Sequence, residues 1–578
     1  FLTLETAQYQ MLTVLQPYLD LGRFANLVID RNRLSSQILD NLNKAALVSL
    51  DLGSIGSRLA SAWSGSSEYL PVYDDAQWCI DRFREKCLNN NLVDTSLQIE
   101  LFAKFLWPNP LFQQQLIATY PHIVYDHCEE DSPVAHDIML EWLPFTTSTL
   151  VLYNEDSGYR KFLGADPVSA ARLAKICSIV TDSRSTEDTA LHQNFRIGLT
   201  QLLIERKPPN ITSSQRDEIR EHVQIISTQY QPELLSKVAQ KIKQHIQEGV
   251  PSGEIVVIAP YINDTLWFPL STLLAEMDIP SELNRPSRSL ASEPIVNAMI
   301  TLARIAYAGW NKAPSSIEFT QCLFQIIDGI NLVRAKYLSE IVYRGNNKLT
   351  SYSQINAEMQ NKIGEANGSA YDVLRTWIEN YRNSPILPLD HFLRRLFGEV
   401  LSQPGFSLRD PSVQTRSIEN LVESAYKFRQ GIPTNSAQEI LSNGKDFIEM
   451  LRNGIIAAAY DEPMETSAEK GVTIMPVIAY LLSGESSKIQ FWMDAGSTGW
   501  FERIDQPLTH PYVLSRNWPV GTKWTDAEEY NANMNTMHNL LQGLLKLSND
   551  KVYVCTSQYN ETGYEQKGPL VQAAQRLL

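Results

Sequence analysis

The sequence predicts an α/β protein with parallel sheets in two domains that carry helical insertions. Three observations predict it. Short apolar runs of strand length alternate with helix-period stretches, which is the rhythm of strands joined by crossover helices. That rhythm occurs in separate patches of the chain, and the region from about 310 to 465 between them is helical and polar. A chain of 578 residues also exceeds what one core supports, so three or four domains are expected.

Taken in order, "FANLVID" (24–30), "ALVSLDL" (46–52), "HIVYD" (122–126) and "STLVLYN" (148–154) are expected strands with helical sequence between them. A helix is expected over 232–249, where Leu235, Val238, Ile242 and Ile246 share one face, Pro232 lies near the start and Gly249 at the stop. The strand "GEIVVIAP" (253–260) follows at once. "SKIQFWMD" (487–494) and "KVYVCTS" (551–557) supply strands again after the helical region, whose loops include "RGNNKLTSYS" and "LSQPGFSLRDPS". There is no internal repeat and no low-complexity tract.

Composition excludes several classes. A hydrophobic share of 43%, a charged share of 20% and 11 Trp describe a globular chain rather than a disordered one. No apolar run approaches the roughly 18 residues of a membrane span, and Phe1 opens no signal pattern, so a cytoplasmic protein without a membrane partner is expected. Cys79, Cys87, Cys128, Cys177, Cys322 and Cys555 are scattered without CxxC pairs, which suits reduced thiols. A net charge of −15 opposes broad attraction to nucleic acid, while a local basic groove stays possible. Neither G-x-S-x-G nor HExxH occurs.

The chemistry-bearing stretch is "HIVYDHCEEDSPVAHDIML" (122–140), a strand running into Asp126, Glu129, Glu130 and Asp131 and then into a helix. Acids there can hold magnesium, or can simply complement a helix N-terminus. His122, His127, Cys128 and His136 are spaced too irregularly to favour zinc. "YDHCEEDSPVA" (125–135) lies without gaps over the pattern V-D-E-x-Q-D-T-x-P-V-Q, with Asp126, Pro133 and Val134 matching. "YNEDSGYRKFLGADP" (153–167) lies over G-D-x-x-Q-S-I-Y-x-F-R-G-A-D-P, sharing Phe162, Gly164, Ala165, Asp166 and Pro167, with Asp156 in a variable slot. "LHQNFRI" (191–197) supplies Asn194, Phe195 and Arg196 of L-x-x-N-Y-R-S, and "HNLLQGLLKLSNDKVYVCTS" (538–557) is similar to a final R-L-L-Y-V-A-x-T-R-A motif. On these residues the chain resembles the UvrD/Rep/PcrA-type helicases of superfamily 1.

The resemblance implies two RecA-like (P-loop NTPase-like) domains. The first is 1–192 with a helical insertion at about 60–118; the second is 193–309 with 465–578, and 310–464 forms a helical insertion. The departures bear on activity. "LVIDRNRLSSQIL" (27–39) stands where a phosphate-cradling loop would, yet has neither its glycines nor its lysine. His127 replaces the general-base glutamate, Glu129 a glutamine, Leu163 an arginine, and Leu547 the arginine finger. No K-G-L-E-F motif is visible over 465–500.

The expected function is therefore a helicase fold without ATP turnover, a DNA-repair or recombination-associated scaffold or passive DNA-binding subunit, with a protein partner and no cofactor. One alternative is an active ATP-dependent single-stranded-DNA translocase using ATP and magnesium, its nucleotide site completed by unorthodox residues or by residues outside the chain, since Phe1 is not an initiator methionine. Another is a protein-binding module without nucleic acid. Asp126, His127, Glu129 and Glu130 are the remnant catalytic acids, with Asp126 the metal ligand. Arg196 and Asp126 are the nucleotide contacts and Arg285 and Arg288 the DNA contacts. Trp142, Trp310, Trp492, Trp500, Trp518 and Trp524 are candidate stacking faces.

Overall fold

The computed structural model describes residues 1–155, 157–181, 192–283, 288–310, 312–343, 348–409, 411–432, 436–454, 459–460, 470–501 and 508–578. Its strands are β1 His122–Tyr125, β2 Ser148–Val151, β3 Val223–Thr228, β4 Ile255–Ala259, β5 Ser281–Leu283, β6 Arg288–Ser289, β7 Ala459–Tyr460, β8 Val472–Pro476, β9 Ser487–Trp492 and β10 Ser548–Ser557. The chain divides into two compact units.

One unit comprises 18–82, 96–285 and 462–578. Its main sheet has the order β3-β10-β9-β4-β8-β5, and every pair is parallel. Parallel sheets need cover on both faces, and β4 is buried along its whole length. Alternation sends Val257, Phe491 and Tyr553 to one face, where Leu234, Val238 and Ile242 of the helix Gln231–Gln247 pack. Val256, Ile258, Trp492 and Val554 face the other way. They meet Phe195 and Leu199 of Gln193–Leu203, Leu541 and Leu544 of Asp526–Lys546, and Leu570 of Pro569–Leu577. Each such leucine contributes about 2 kcal/mol by leaving water.

Among the described residues the unit's second sheet consists of β1 and β2, parallel, with His122 opposite Ser148. Ile123, Tyr125 and Val151 pack against Leu143 and Leu173. On the other face Val124 and Leu150 are exposed.

Two expected strands are absent. Residues 24–30 form a turn and an unpaired extended run, and 46–52 are the end of a helix and the turn after it. The reason is helical periodicity: Leu34, Ile38, Leu42 and Ala45 line the buried face of the helix Arg31–Leu47, which carries through Ala46 before it breaks at Val48. Asp30 caps that helix, its carboxylate accepting the Asn32 N–H at 2.8 Å. Conversely, β3, β5 and β8 are strands that the apolar rhythm does not mark.

The other unit comprises 1–17, 83–95 and 286–461, so the helices expected within 310–464 share a core with the chain's first residues. Its core is helical, with Phe319, Tyr371, Phe392 and Phe447 fully buried. Tyr9 packs on it, its ring edge-on to Phe428 and its hydroxyl donating to Asp446 at 2.9 Å. Buried Asp390 accepts two parallel bonds from Arg429, both 2.9 Å. Among the described residues no helix is long and apolar enough to cross a membrane.

Candidate functional site

The strand β1 ends at Tyr125, and the chain then makes a tight acidic turn. His127 adopts left-handed backbone geometry with φ of 48°, which re-aims the chain so that Cys128–Glu130 coil back under the strand. Asp126 stays exposed and accepts the His127 N–H on Oδ1 at 2.8 Å. Glu129 and Glu130, by contrast, are buried. The helix Pro133–Trp142 starts independently of both, capped by the Ser132 hydroxyl with Pro133 in its first turn. Only Asp131 fits the solvated helix start expected of the acids, and it is held too, accepting from the Tyr125 hydroxyl at 3.0 Å.

Glu130 is the most heavily engaged. Its Oε1 accepts from the N–H groups of Gly158 at 2.7 Å and Tyr159 at 2.8 Å, and its Oε2 from the Arg160 N–H at 3.1 Å. Consecutive N–H groups of one turn thus form an anion nest around a protein carboxylate. Glycine is required at 158, where φ is +90° and a Cβ would stand 2.2 Å from Pro167. With its lone pairs directed at backbone hydrogens, Glu130 has no geometry for a metal.

Glu129 differs. Oε2 accepts the Asn154 N–H at 3.1 Å, while Oε1 is buried without a hydrogen-bond partner, 3.4 Å from His127 Nδ1. A carboxylate oxygen left so is costly unless a donor or cation meets it. His136 braces the turn from below: its Nε2–H donates to the Cys128 carbonyl at 2.7 Å. Burial lowers the His136 pKa and raises that of the Cys128 thiol to about 12, so both are neutral packing groups. Among the described residues no group of three His, Cys, Asp or Glu side chains could hold a metal.

Arg196 lies in the helix Gln193–Leu203. Its Nε donates to Gln542 Oε1 at 2.6 Å, and Gln542 Nε2 donates back to the Arg196 carbonyl at 3.2 Å. Phe195 beside it is core, and Asn194 donates to Glu218. Arg285 lies outside the described residues, as does Asp156. Arg288 is in β6, opposite Tyr460 of β7. Trp310, Trp492 and Trp500 are buried and cannot stack on bases; Trp142, Trp518 and Trp524 are partly exposed.

Sequence reasoning missed a second set of contacts. Arg58 donates to the carbonyls of Val513, Ser515 and Trp518, each at 2.7 Å, and Gln37 accepts the Leu508 N–H at 2.9 Å. Asp137 bridges Arg516 at 2.7 Å and Arg172 at 2.8 Å. Tyr159, fixed by the nest, lies against Gly543 so closely that a Cβ there would be 2.2 Å from its hydroxyl. The last joins the turn after β2 to the helix Asp526–Lys546, and the others tie residues 37, 58 and 137 to the stretch 508–518. The isolated Gly543 inside an otherwise helical pattern is the one sequence signal that could have pointed to it.

A groove of about 980 Å³ opens at this end of the small sheet, lined by Asp126, His127, Glu129, the whole of β2 and part of 170–181. Crevices at the carboxyl ends of parallel strands are where open α/β sheets bind ligands. What this one offers is the exposed Asp126 carboxylate at one end and, for the rest, a trough lined by β2 and by residues of 170–181 in which apolar side chains alternate with Ser and Thr. The chain matches no protein-family model and no curated protein.

Proposed function

We propose that the chain is a UvrD/Rep-like helicase-fold protein with two RecA-like domains that does not turn over ATP and acts as a DNA-repair or recombination-associated scaffold or passive DNA-binding subunit. The observation that carries it is the engagement of Glu130. In the resemblance this acid belongs to the magnesium turn, and here its oxygens are taken up by the N–H groups of 158–160. Two further features support the reading. Asp30 supplies its own carboxylate to the helix start at which a phosphate loop would deliver its anion, and Arg196 is paired with Gln542.

The test is nucleotide binding by calorimetry at millimolar ATP with magnesium. No saturable heat and no strand separation are expected; turnover abolished by Asp126→Ala would establish the active translocase instead. Single-stranded DNA binding is expected to be weaker than micromolar at physiological salt, with log K falling about 0.7 per phosphate contacted against log salt. Charge reversal at Arg285 and Arg288 together should flatten that slope.

A second reading, a protein-binding module without nucleic acid, is favoured by the net charge of −15. Absence of single-stranded DNA binding even at low salt would select it.

A further inference from the structure

Parallel strands are ordinarily covered on both faces and continued into a wider sheet. β1 and β2 depart from this. Among the described residues they pair only with each other. Val124 and its register partner Leu150 are 71% and 52% exposed.

The ladder shows which backbone groups of β2 are used. Ser148 N–H donates to the Pro121 carbonyl at 3.3 Å and Leu152 N–H to the Tyr125 carbonyl at 2.9 Å. Residues 148, 150 and 152 therefore face β1, and the pleat turns the N–H and C=O of Thr149 and Val151 to the opposite edge. The groove of about 980 Å³ runs along that edge. One wall is the chain from 146 to 154, the other lies within 170–181, where Ile179 and Val180 are exposed, and none of residues 122–125 lines it. At about 3.3 Å per residue the stretch 148–154 spans roughly 20 Å, room for about six or seven extended residues. At the end toward which β2 runs, the groove meets the exposed carboxylate of Asp126, with the buried Glu129 carboxylate behind it, 3.4 Å from His127 Nδ1.

We infer that this edge receives an extended segment of a partner polypeptide, which adds to β2 as a third parallel strand and carries a Lys or Arg just beyond its C-terminal end. The backbone edge supplies the pairing, the apolar side chains of the walls select alternate β-branched or aromatic side chains, and the exposed Asp126 carboxylate selects the cation. The inference goes beyond the proposed function, since it requires neither nucleotide nor DNA.

The test uses the full chain and a phage-displayed library of random nine-residue peptides, followed by fluorescence anisotropy on the selected peptide. The expected consensus alternates β-branched or aromatic residues and ends in Lys or Arg. Methylating the peptide nitrogens that face β2 should weaken binding at least about tenfold, and methylating the alternate set should not. Asp126→Asn should weaken it roughly tenfold as well, through the lost charge-assisted bond. Thr149→Pro with Val151→Pro removes both edge donors and should abolish binding while sparing the bonds to β1. The N-methyl comparison decides the matter even where the proline variant fails to fold, because it leaves the protein untouched. No enriched peptide, a helical or acidic consensus, or equal affinity of both methylated sets overturns the inference. So does light scattering that shows a dimer dissociated by the proline pair, which would assign the edge to a second copy of the chain.

Discussion

Replacing Glu130 by alanine removes the acceptor of three N–H groups at once, those of Gly158, Tyr159 and Arg160. Leaving buried donors unpaired costs about 1–3 kcal/mol each at most, and water entering the turn offsets part of that, so a loss of about 2–4 kcal/mol is expected. Hydrogen exchange should show the amides of 158–160 among the first to lose protection; unchanged protection there would contradict the nest. Asp494, following β9, gives a pH-dependent counterpart. Burial first, and then the nearby Glu561 carboxylate, raises its pKa from 3.8 to about 6. The folded state thus binds the proton more tightly than the unfolded chain, so stability attributable to this group is fully present below about pH 4 and declines as pH rises to about 6. Asp494→Asn should accordingly raise the melting temperature at pH 7.5, by an amount corresponding to about 1–2 kcal/mol, and leave it nearly unchanged at pH 4. Equal effects at both pH values would assign the gain to packing.

Between elements, the contact of Tyr159 with Gly543 carries the clearest expectation. Gly543→Ala favours the helix Asp526–Lys546 by about 1 kcal/mol in propensity, yet its methyl would collide with the Tyr159 ring. Net destabilisation is expected, and in a Tyr159→Ala background the same substitution should cost less, Leu481 at 2.8 Å being left to give way; additive effects in this double-mutant cycle would show that Tyr159 and Gly543 do not touch. Legibility in the sequence followed burial at this scale. β4, β9 and β10 could be read because central parallel strands are continuous apolar runs, as "IVVIA" is. β3, "VQIIST", pairs on one side only and keeps exposed polar positions, so its pattern merges with loop. The false strand at 46–52 arose where the end of a helical face was read at period 2, and the one at 24–30 where a short apolar run in a turn and its exit was read as a strand. At the acid turn the sequence located the cluster but not its state. Whether Glu130 is solvated or buried is decided by N–H groups some thirty positions later, and backbone donors have no sequence signature of their own.

Over the whole molecule, two units with separate cores should unfold in more than one step, since two-state behaviour belongs to single cores. Asp390→Ala strands the Arg429 guanidinium beside a buried vacancy and should lower one calorimetric transition, by about 3 kcal/mol, without moving the other; a shift of both would mean that the units unfold together. The order of the large sheet has a temporal side. β10 sits between β3 and β9, and His222 and Asp550, where β3 and β10 pair, are 328 residues apart. At about 5–20 residues per second a ribosome takes on the order of 15–65 s to cover that distance. For that interval β3 has no neighbour in the nascent chain, and over its last part, once β9 has been made, β9 too has an unfilled flank. The strand that closes the gap enters the middle of the sheet rather than extending its border, so the nascent protein must keep two sticky edges apart until late in its own synthesis, a demand for chaperone shelter set by topology alone.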